Sequence, residues 1–95
     1  MKFGLSEDIY NQILEIVKKY NYSFKIFGSR ARGDFKNYSD IDIAIFERVT
    51  EDDEYKIRNE IDLLDIPYTI DLVFVTDTTK KELLNSIMKE GVDLK

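Results

Sequence analysis

Residues 27–45 read FGSRARGDFKNYSDIDIAI and hold the two features that decide the fold of this chain. The first is the pair Gly28-Ser29, which follows a short alternating segment, 23–27. The alternation predicts a strand, and the glycine predicts a tight turn after it. The second is Asp40-Ile41-Asp42, which opens a segment, 40–46, with isoleucines on one face and aspartates on the other. The stretch therefore predicts two strands joined through a polar connection.

The rest of the chain alternates predicted helices and strands. Ser6 ahead of two acids predicts the start of a first helix, and a second helix is expected over 51–64. A β-rich segment, 68–75, predicts a third strand, and Thr78 or Thr79 is expected to cap a last helix. The residues expected on the inner faces of the helices are Ile9, Ile13, Ile16, Val17 and Tyr20; Ile57, Ile61 and Leu64; and Leu83, Leu84, Ile87 and Met88. This order predicts an α/β fold, a small mixed sheet of at least three strands flanked by helices, in a single domain over 1–95.

Composition excludes several kinds of chemistry. The chain has no cysteine and no histidine, so disulfides, thiolate metal sites and imidazole catalysis are ruled out. Any metal must be bound by oxygen, which indicates Mg²⁺ or Mn²⁺. The net charge of −5 disfavours direct nucleic-acid binding. We find no apolar run of about 18 residues and no signal-peptide pattern, so we expect no membrane contact and a cytoplasmic protein.

Three aspartates form the candidate metal site. Asp40 and Asp42 stand two positions apart on a predicted strand, which puts both on one face about 6.6 Å apart at Cα. Asp71 lies in the third predicted strand and joins them if the two strands are neighbours. Such a cluster is repulsive without a counter-ion, and two divalent cations would turn it into a site for phosphoryl transfer. The alternative is that Asp40 caps a turn, Asp42 lies on the surface and Asp71 is an edge-strand acid.

The Gly-Ser turn is the candidate phosphate site. Gly28 lets backbone approach a phosphate, and Ser29 adds a hydroxyl next to the N–H groups that open a short helix. Arg30 and Arg32 supply cations for a triphosphate, although each would serve equally well in a surface ion pair with the acidic C-terminal part. The glycine patterns of P-loop and Rossmann sites do not occur in the chain.

These residues resemble a known family. Gly28-Ser29, ten further residues, Asp40-Ile41-Asp42 and a third acid at Asp71 are similar to the motif of the polymerase β-like nucleotidyltransferases. Arg30-Ala31-Arg32-Gly33, Ser39 before the first aspartate and the short length resemble the minimal nucleotidyltransferases, whose members often pair with a HEPN-domain protein as antitoxin and toxin. The resemblance covers nearly the whole chain.

The resemblance implies a fold, roles for residues and an activity. The fold would be the nucleotidyltransferase core, in which Asp40 and Asp42 bind two Mg²⁺ ions. Asp71 would complete one metal site and favour deprotonation of the attacking hydroxyl, while Gly28 and Ser29 hold the β- and γ-phosphates of ATP. Antitoxin members transfer AMP to a tyrosine of the HEPN toxin, and a chain limited to the core would need a partner to present the acceptor.

Two alternatives belong to other classes. A small acidic protein could neutralise a basic toxin by covering it, without catalysis. Transfer to a small molecule such as an antibiotic is the other, and it would need an acceptor pocket built by oligomerisation.

Overall fold

The structure is a computed structural model that describes residues 2–94; Met1 and Lys95, the ends of the expected domain, lie outside this range. In chain order its elements are α1 (Glu7–Lys19), β1 (Phe24–Phe27), α2 (Ser29–Arg32), β2 (Ile41–Ile45), α3 (Glu51–Asp62), β3 (Ile70–Phe74), α4 (Lys81–Glu90) and β4 (Val92–Asp93). The strands form one sheet in the order β3-β2-β1-β4. β2 runs parallel to β3 and antiparallel to β1, so the expected mixed α/β sheet is confirmed.

Each face of the sheet is covered by helices. Helices α1 and α3 pack on the face that carries the alternating isoleucines of β2, and this is the larger core. Helix α4 packs on the other face through Ile87, against Phe27 of β1 and Ala44 of β2. Because Asp42 lies two residues from Ala44, it belongs to the α4 face. The alternation in β2 thus separates the main core from the acidic site.

Of the two helix caps expected from the sequence, the one at Ser6 is confirmed, and α3 has a further cap at Thr50 that was not expected. The hydroxyl of Ser6 accepts a hydrogen bond from the Ile9 amide at 3.2 Å, and Thr50 caps α3 in the same way. Helix α4 differs, because its N-cap is Lys80, which has no side-chain capping bond. The hydroxyl of Thr79 instead accepts from the amide of Thr76 in the preceding turn, so the expected threonine cap is wrong.

Two further features differ from the sequence-based expectation. Met88 is 66% exposed and does not belong to the inner face of α4, which turns Ile87 to the core. The strand β4 was not expected; it adds two residues to the edge of β1, where Lys25 and Asp93 form an ion pair at 2.7 Å. No helix within residues 2–94 has the length and apolar character needed to cross a membrane.

Candidate active site

The Gly-Ser turn and the carboxylate of β2 are in direct contact. Phe27, the last residue of β1, lies opposite Asp42, so the turn that follows β1 begins beside this aspartate. Gly28 has φ 75° and ψ −157°, a conformation that is essentially restricted to glycine. A Cβ atom at this position would lie 2.3 Å from Oδ2 of Asp42. Glycine is therefore needed both for the backbone conformation and for the approach of the carboxylate.

The third aspartate lies on the neighbouring strand at the same level. Asp42 of β2 and Asp71 of β3 are register partners, and residues paired in parallel strands point to the same face. Neighbouring strands are about 4.8 Å apart, so the two carboxylates are side by side. Asp40 precedes β2 by one residue and is exposed at the same end of the sheet. The sequence analysis left open whether the strands that carry Asp42 and Asp71 are neighbours, and the structure shows that they are.

The electrostatics of Asp42 reflect this placement. Burial raises the pKa of the Asp42 carboxyl, and the negative charges of Asp71 and Asp40 raise it further. The positive charge of Arg32 acts in the opposite direction. Within the described range, no three acidic side chains are gathered closely enough to hold one metal ion as they stand. The donor set of carboxylate oxygens nevertheless suits a hard divalent cation, whose charge would offset the repulsion at Asp42.

Helix α2 begins at Ser29, directly after the glycine that contacts Asp42. It is a single turn of helix with Gly28 as its N-cap and Gly33, in a left-handed conformation, at its end. The hydroxyl of Ser29 makes no hydrogen bond with any other described residue, so it is available to a ligand. The first amides of a helix also lack partners within the helix. The turn can therefore offer a hydroxyl and backbone donors next to the carboxylates.

Arg32 lies at the border of the site. Its guanidinium donates to Asp34 at 3.2 Å and contacts both carboxylate oxygens of Glu90 at 3.1 and 3.2 Å. Its influence on the pKa of Asp42 shows that it is close enough to act on a charge bound there. Glu90 is the last residue of α4 and was not among the expected site residues. The sequence-based alternative for Arg32, an ion pair with the acidic C-terminal part, thus agrees with the structure, although the particular partner, 58 positions away, could not be predicted.

Arg30 has an environment that differs from the expected one. Its side chain is 2% exposed, and its guanidinium donates to the backbone carbonyls of Ser39 and Phe3 at 3.0 and 2.9 Å. A single helical turn sends residues two positions apart to opposite sides, so Arg30 points inward while Arg32 points outward. Arg30 as placed does not present its charge to a phosphate.

A groove of about 640 Å³ lies at the other end of the sheet. It is formed by the segments that follow β2 and β3, including Arg48 and the threonines of 76–79. The carboxylates are at the beginning of these two strands, so the groove and the acidic cluster are separate features. Of these two features, the acidic cluster is the one that combines a phosphate-compatible turn with metal-compatible donors.

Comparison with known proteins agrees with this geometry. Two solved structures of similar fold have the descriptions toxin-antitoxin with AMP-PNP and MntA-HpeT toxin-antitoxin point mutant. The first has a TM-score of 0.65 and 22% identity and covers 90% of this chain and 72% of its own. The second has a TM-score of 0.64 and 23% identity and covers 96% and 72%. No curated protein matches the chain significantly. The model of the family "Polymerase beta, Nucleotidyltransferase" matches residues 11–95, and the chain belongs to this nucleotidyltransferase family.

Proposed function

We propose that this protein is a Mg²⁺-dependent nucleotidyltransferase that transfers AMP from ATP to a tyrosine hydroxyl of a HEPN-domain toxin and thereby acts as its antitoxin. The observation that carries the proposal is the contact between Gly28 and Asp42 beside Asp71, because it joins a phosphate-compatible turn to a pair of carboxylates. A reaction that consumes ATP belongs in the cytoplasm, where we expect the protein.

Each residue of the site has a role in the proposed reaction. The oxygen of the acceptor hydroxyl attacks the α-phosphorus of ATP, the bond from that phosphorus to the bridging oxygen breaks, and pyrophosphate leaves. Asp71, which is exposed at the sheet edge, would take up the proton of the acceptor hydroxyl. Gly28 and Ser29 would hold the β- and γ-phosphates through backbone N–H groups and the free hydroxyl.

Magnesium fits the same residues. Asp40, Asp42 and Asp71 would hold it, and it would supply charge neutralisation for the phosphates. The raised pKa of the Asp42 carboxyl, caused by burial and by the charges of Asp71 and Asp40, supports this assignment because a bound cation would relieve both effects.

The choice of a protein acceptor rests on the comparisons and on the exposure of the site. Both similar structures described above belong to toxin-antitoxin pairs, and one of them contains an ATP analogue. Asp40 and Asp71 are exposed at the edge of the sheet, so a partner could present a side chain to them without entering a deep cavity.

Transfer of label from ATP tests the proposal. The protein is incubated with Mg²⁺, a HEPN-domain toxin and ATP labelled at the α- or the γ-phosphate. We expect label on a toxin tyrosine from α-labelled ATP only, and none when Asp40, Asp42 and Asp71 are all changed to Asn. A triple variant that still neutralises the toxin, with no label transferred by the wild type, would favour the non-catalytic antitoxin instead.

A further inference from the structure

Arg30 is a buried cation without an acidic partner. Among residues 2–94 it is the one charged residue that is buried, with 2% of its surface exposed. Burial of a charge is unfavourable unless polar groups compensate for it, and the described part of the chain provides no ion pair to this arginine. The retention of a guanidinium at this position therefore needs a specific reason.

The side chain of Arg30 contacts four residues from three segments of the chain. Its Nε donates to the carbonyl of Ser39 at 3.0 Å, and its Nη1 donates to the carbonyl of Phe3 at 2.9 Å. Its Cζ lies 5.1 Å from the ring centre of Phe35 and 4.5 Å from that of Tyr68. Its Nη2 is buried and has no hydrogen-bond partner within the described residues. The guanidinium thus combines directed hydrogen bonds with stacking on two rings.

Arg30 and two of the residues that it contacts, Ser39 and Tyr68, are close in sequence to residues of the candidate active site. Arg30 itself follows Ser29 of the phosphate turn, and Ser39 immediately precedes Asp40. Tyr68 lies three residues before Asp71. A shift of the guanidinium would therefore be transmitted to the turn, to the start of β2 and to the start of β3.

We propose that Arg30 is a positioning residue for the nucleotidyl-transfer site. The inference rests on the proposed function, and it assigns Arg30 to the site through other residues, with no contact to the nucleotide. By holding the carbonyl of Ser39 and stacking on Tyr68, the guanidinium fixes Ser29, Asp40 and Asp71 relative to one another. Phosphoryl transfer depends on such placement, since a displacement of about 1 Å can lower a rate ~100-fold.

Lysine cannot replace arginine in this role. An ammonium group is a point charge with its donors on one atom, whereas the planar guanidinium has several donors in fixed directions and two faces for stacking. A lysine at position 30 would keep the positive charge and lose the combined contacts to Ser39 and Tyr68. The substitution Arg30→Lys therefore separates the charge from the geometry.

Arg58 provides a matched control at a distance from the site. It also stacks on an aromatic ring, with Cζ 4.7 Å from the ring centre of Phe74, and it pairs with Glu54 on the exposed side of α3. Arg58→Lys therefore removes one arginine–ring contact without touching the turn or the carboxylates.

The experiment records backbone amide spectra of ¹⁵N-labelled wild type, Arg30→Lys and Arg58→Lys, and measures binding of Mg²⁺-ATP by calorimetry. Without nucleotide, we expect Arg30→Lys to remain folded, with shifted and broadened amide signals at Ser29, Asp40 and Asp71. Its affinity for Mg²⁺-ATP should be lower by about 10-fold or more. Arg58→Lys should keep wild-type signals at these residues and wild-type affinity.

The outcomes separate a positioning role from a structural one. A folded Arg30→Lys with wild-type signals at the three site residues and wild-type affinity would overturn the proposal, even if its melting temperature is lower. If Arg30→Lys does not fold, Tyr68→Leu removes one ring contact while keeping the arginine, and the same readouts decide. If the wild type itself does not bind Mg²⁺-ATP, the proposed function fails, while the amide signals without nucleotide still decide the role of Arg30.

Discussion

A methyl group on Gly28 would lie 2.3 Å from Oδ2 of Asp42, so the turn after β1 and the carboxylate of β2 occupy adjoining space. A separation of this size is far shorter than van der Waals contact between carbon and oxygen. The two motifs that stand apart in the sequence are thus one structural unit, and the packing of the turn fixes where the carboxylate lies.

The substitution Gly28→Ala should damage both the fold and the site. Alanine would adopt an unfavourable φ of 75° and would push Asp42 away, so we expect the free energy of unfolding to fall by about 2–3 kcal/mol. For a domain of this size the melting temperature should fall by roughly 10 °C or more. Thermal unfolding with and without Mg²⁺-ATP should also show that the ligand no longer stabilises the variant.

Gly33→Ala is the control for backbone strain alone. Gly33 has φ 97°, but a Cβ atom there would have nothing within 4 Å. This variant should lose stability by about 1 kcal/mol and keep its response to Mg²⁺-ATP. Equal loss of the ligand response in both variants would contradict a specific role for the space between Gly28 and Asp42.

Asp42→Asn should stabilise the metal-free protein and abolish nucleotidyl transfer. The pKa of the Asp42 carboxyl is raised by burial and by the charges of Asp71 and Asp40, so removal of its charge relieves an unfavourable interaction. We expect a melting temperature higher by a few °C, since about 1 kcal/mol corresponds to about 4–8 °C in a small domain. Asp65→Asn changes an exposed carboxylate outside the site and should alter neither property. Wild-type transfer rates in Asp42→Asn would contradict its proposed metal role.

The aspartate-bearing face of β2 could be predicted from the sequence because strand alternation has a period of two. With isoleucines at 41, 43 and 45, the residue at 42 must lie on the opposite face. The pairing of Asp42 with Asp71 could not be predicted, since it depends on which strand lies next to β2 and in which register. Both depend on contacts between segments that are far apart in the chain, since β2 and β3 are connected through helix α3.

The opposite roles of the two arginines could not be predicted either. In a single helical turn, Arg30 and Arg32 point to different sides, but the local pattern does not say which one is buried. Arg30 is the buried one, and it contacts the carbonyl of Phe3 and the ring of Tyr68, which are distant in sequence from the turn. The strand β4 has two residues, too few for any periodicity to be visible.

Because of Tyr20, the stability of the protein should fall as the pH rises into the alkaline range. Burial raises the pKa of Tyr20 to about 12, and the hydrogen bond that its hydroxyl donates to Glu60 adds to the effect, with smaller contributions from the negative charges of Asp53 and Asp52. In the unfolded chain a tyrosine ionises near ~10. Between these values the unfolded state loses a proton that the folded state retains, so stability falls as pH rises.

We expect Tyr20→Phe to show a smaller loss of stability between pH ~10 and ~12 than the wild type does. At neutral pH it should be less stable by about 1–2 kcal/mol, since a hydrogen bond to a charged group is lost. Urea unfolding at a series of pH values measures both effects. Tyr38→Phe, which changes a tyrosine that is 81% exposed, should follow the wild type; an identical profile for Tyr20→Phe would contradict the assignment.

Glu90→Gln should increase the affinity for Mg²⁺-ATP. Arg32 is 44% exposed and is held by Glu90, which is 21% exposed, so a triphosphate must compete with this carboxylate for the guanidinium. Exposed ion pairs contribute at most about 1 kcal/mol, which corresponds to a gain in affinity of up to ~5-fold when the competitor is neutralised.

Arg32→Gln should act in the opposite direction and weaken binding. Glu54→Gln, which removes the partner of Arg58 on α3, serves as the control and should leave the affinity unchanged. Calorimetric titration of the three variants with Mg²⁺-ATP decides the matter, because equal affinities throughout would mean that Arg32 does not meet the phosphates.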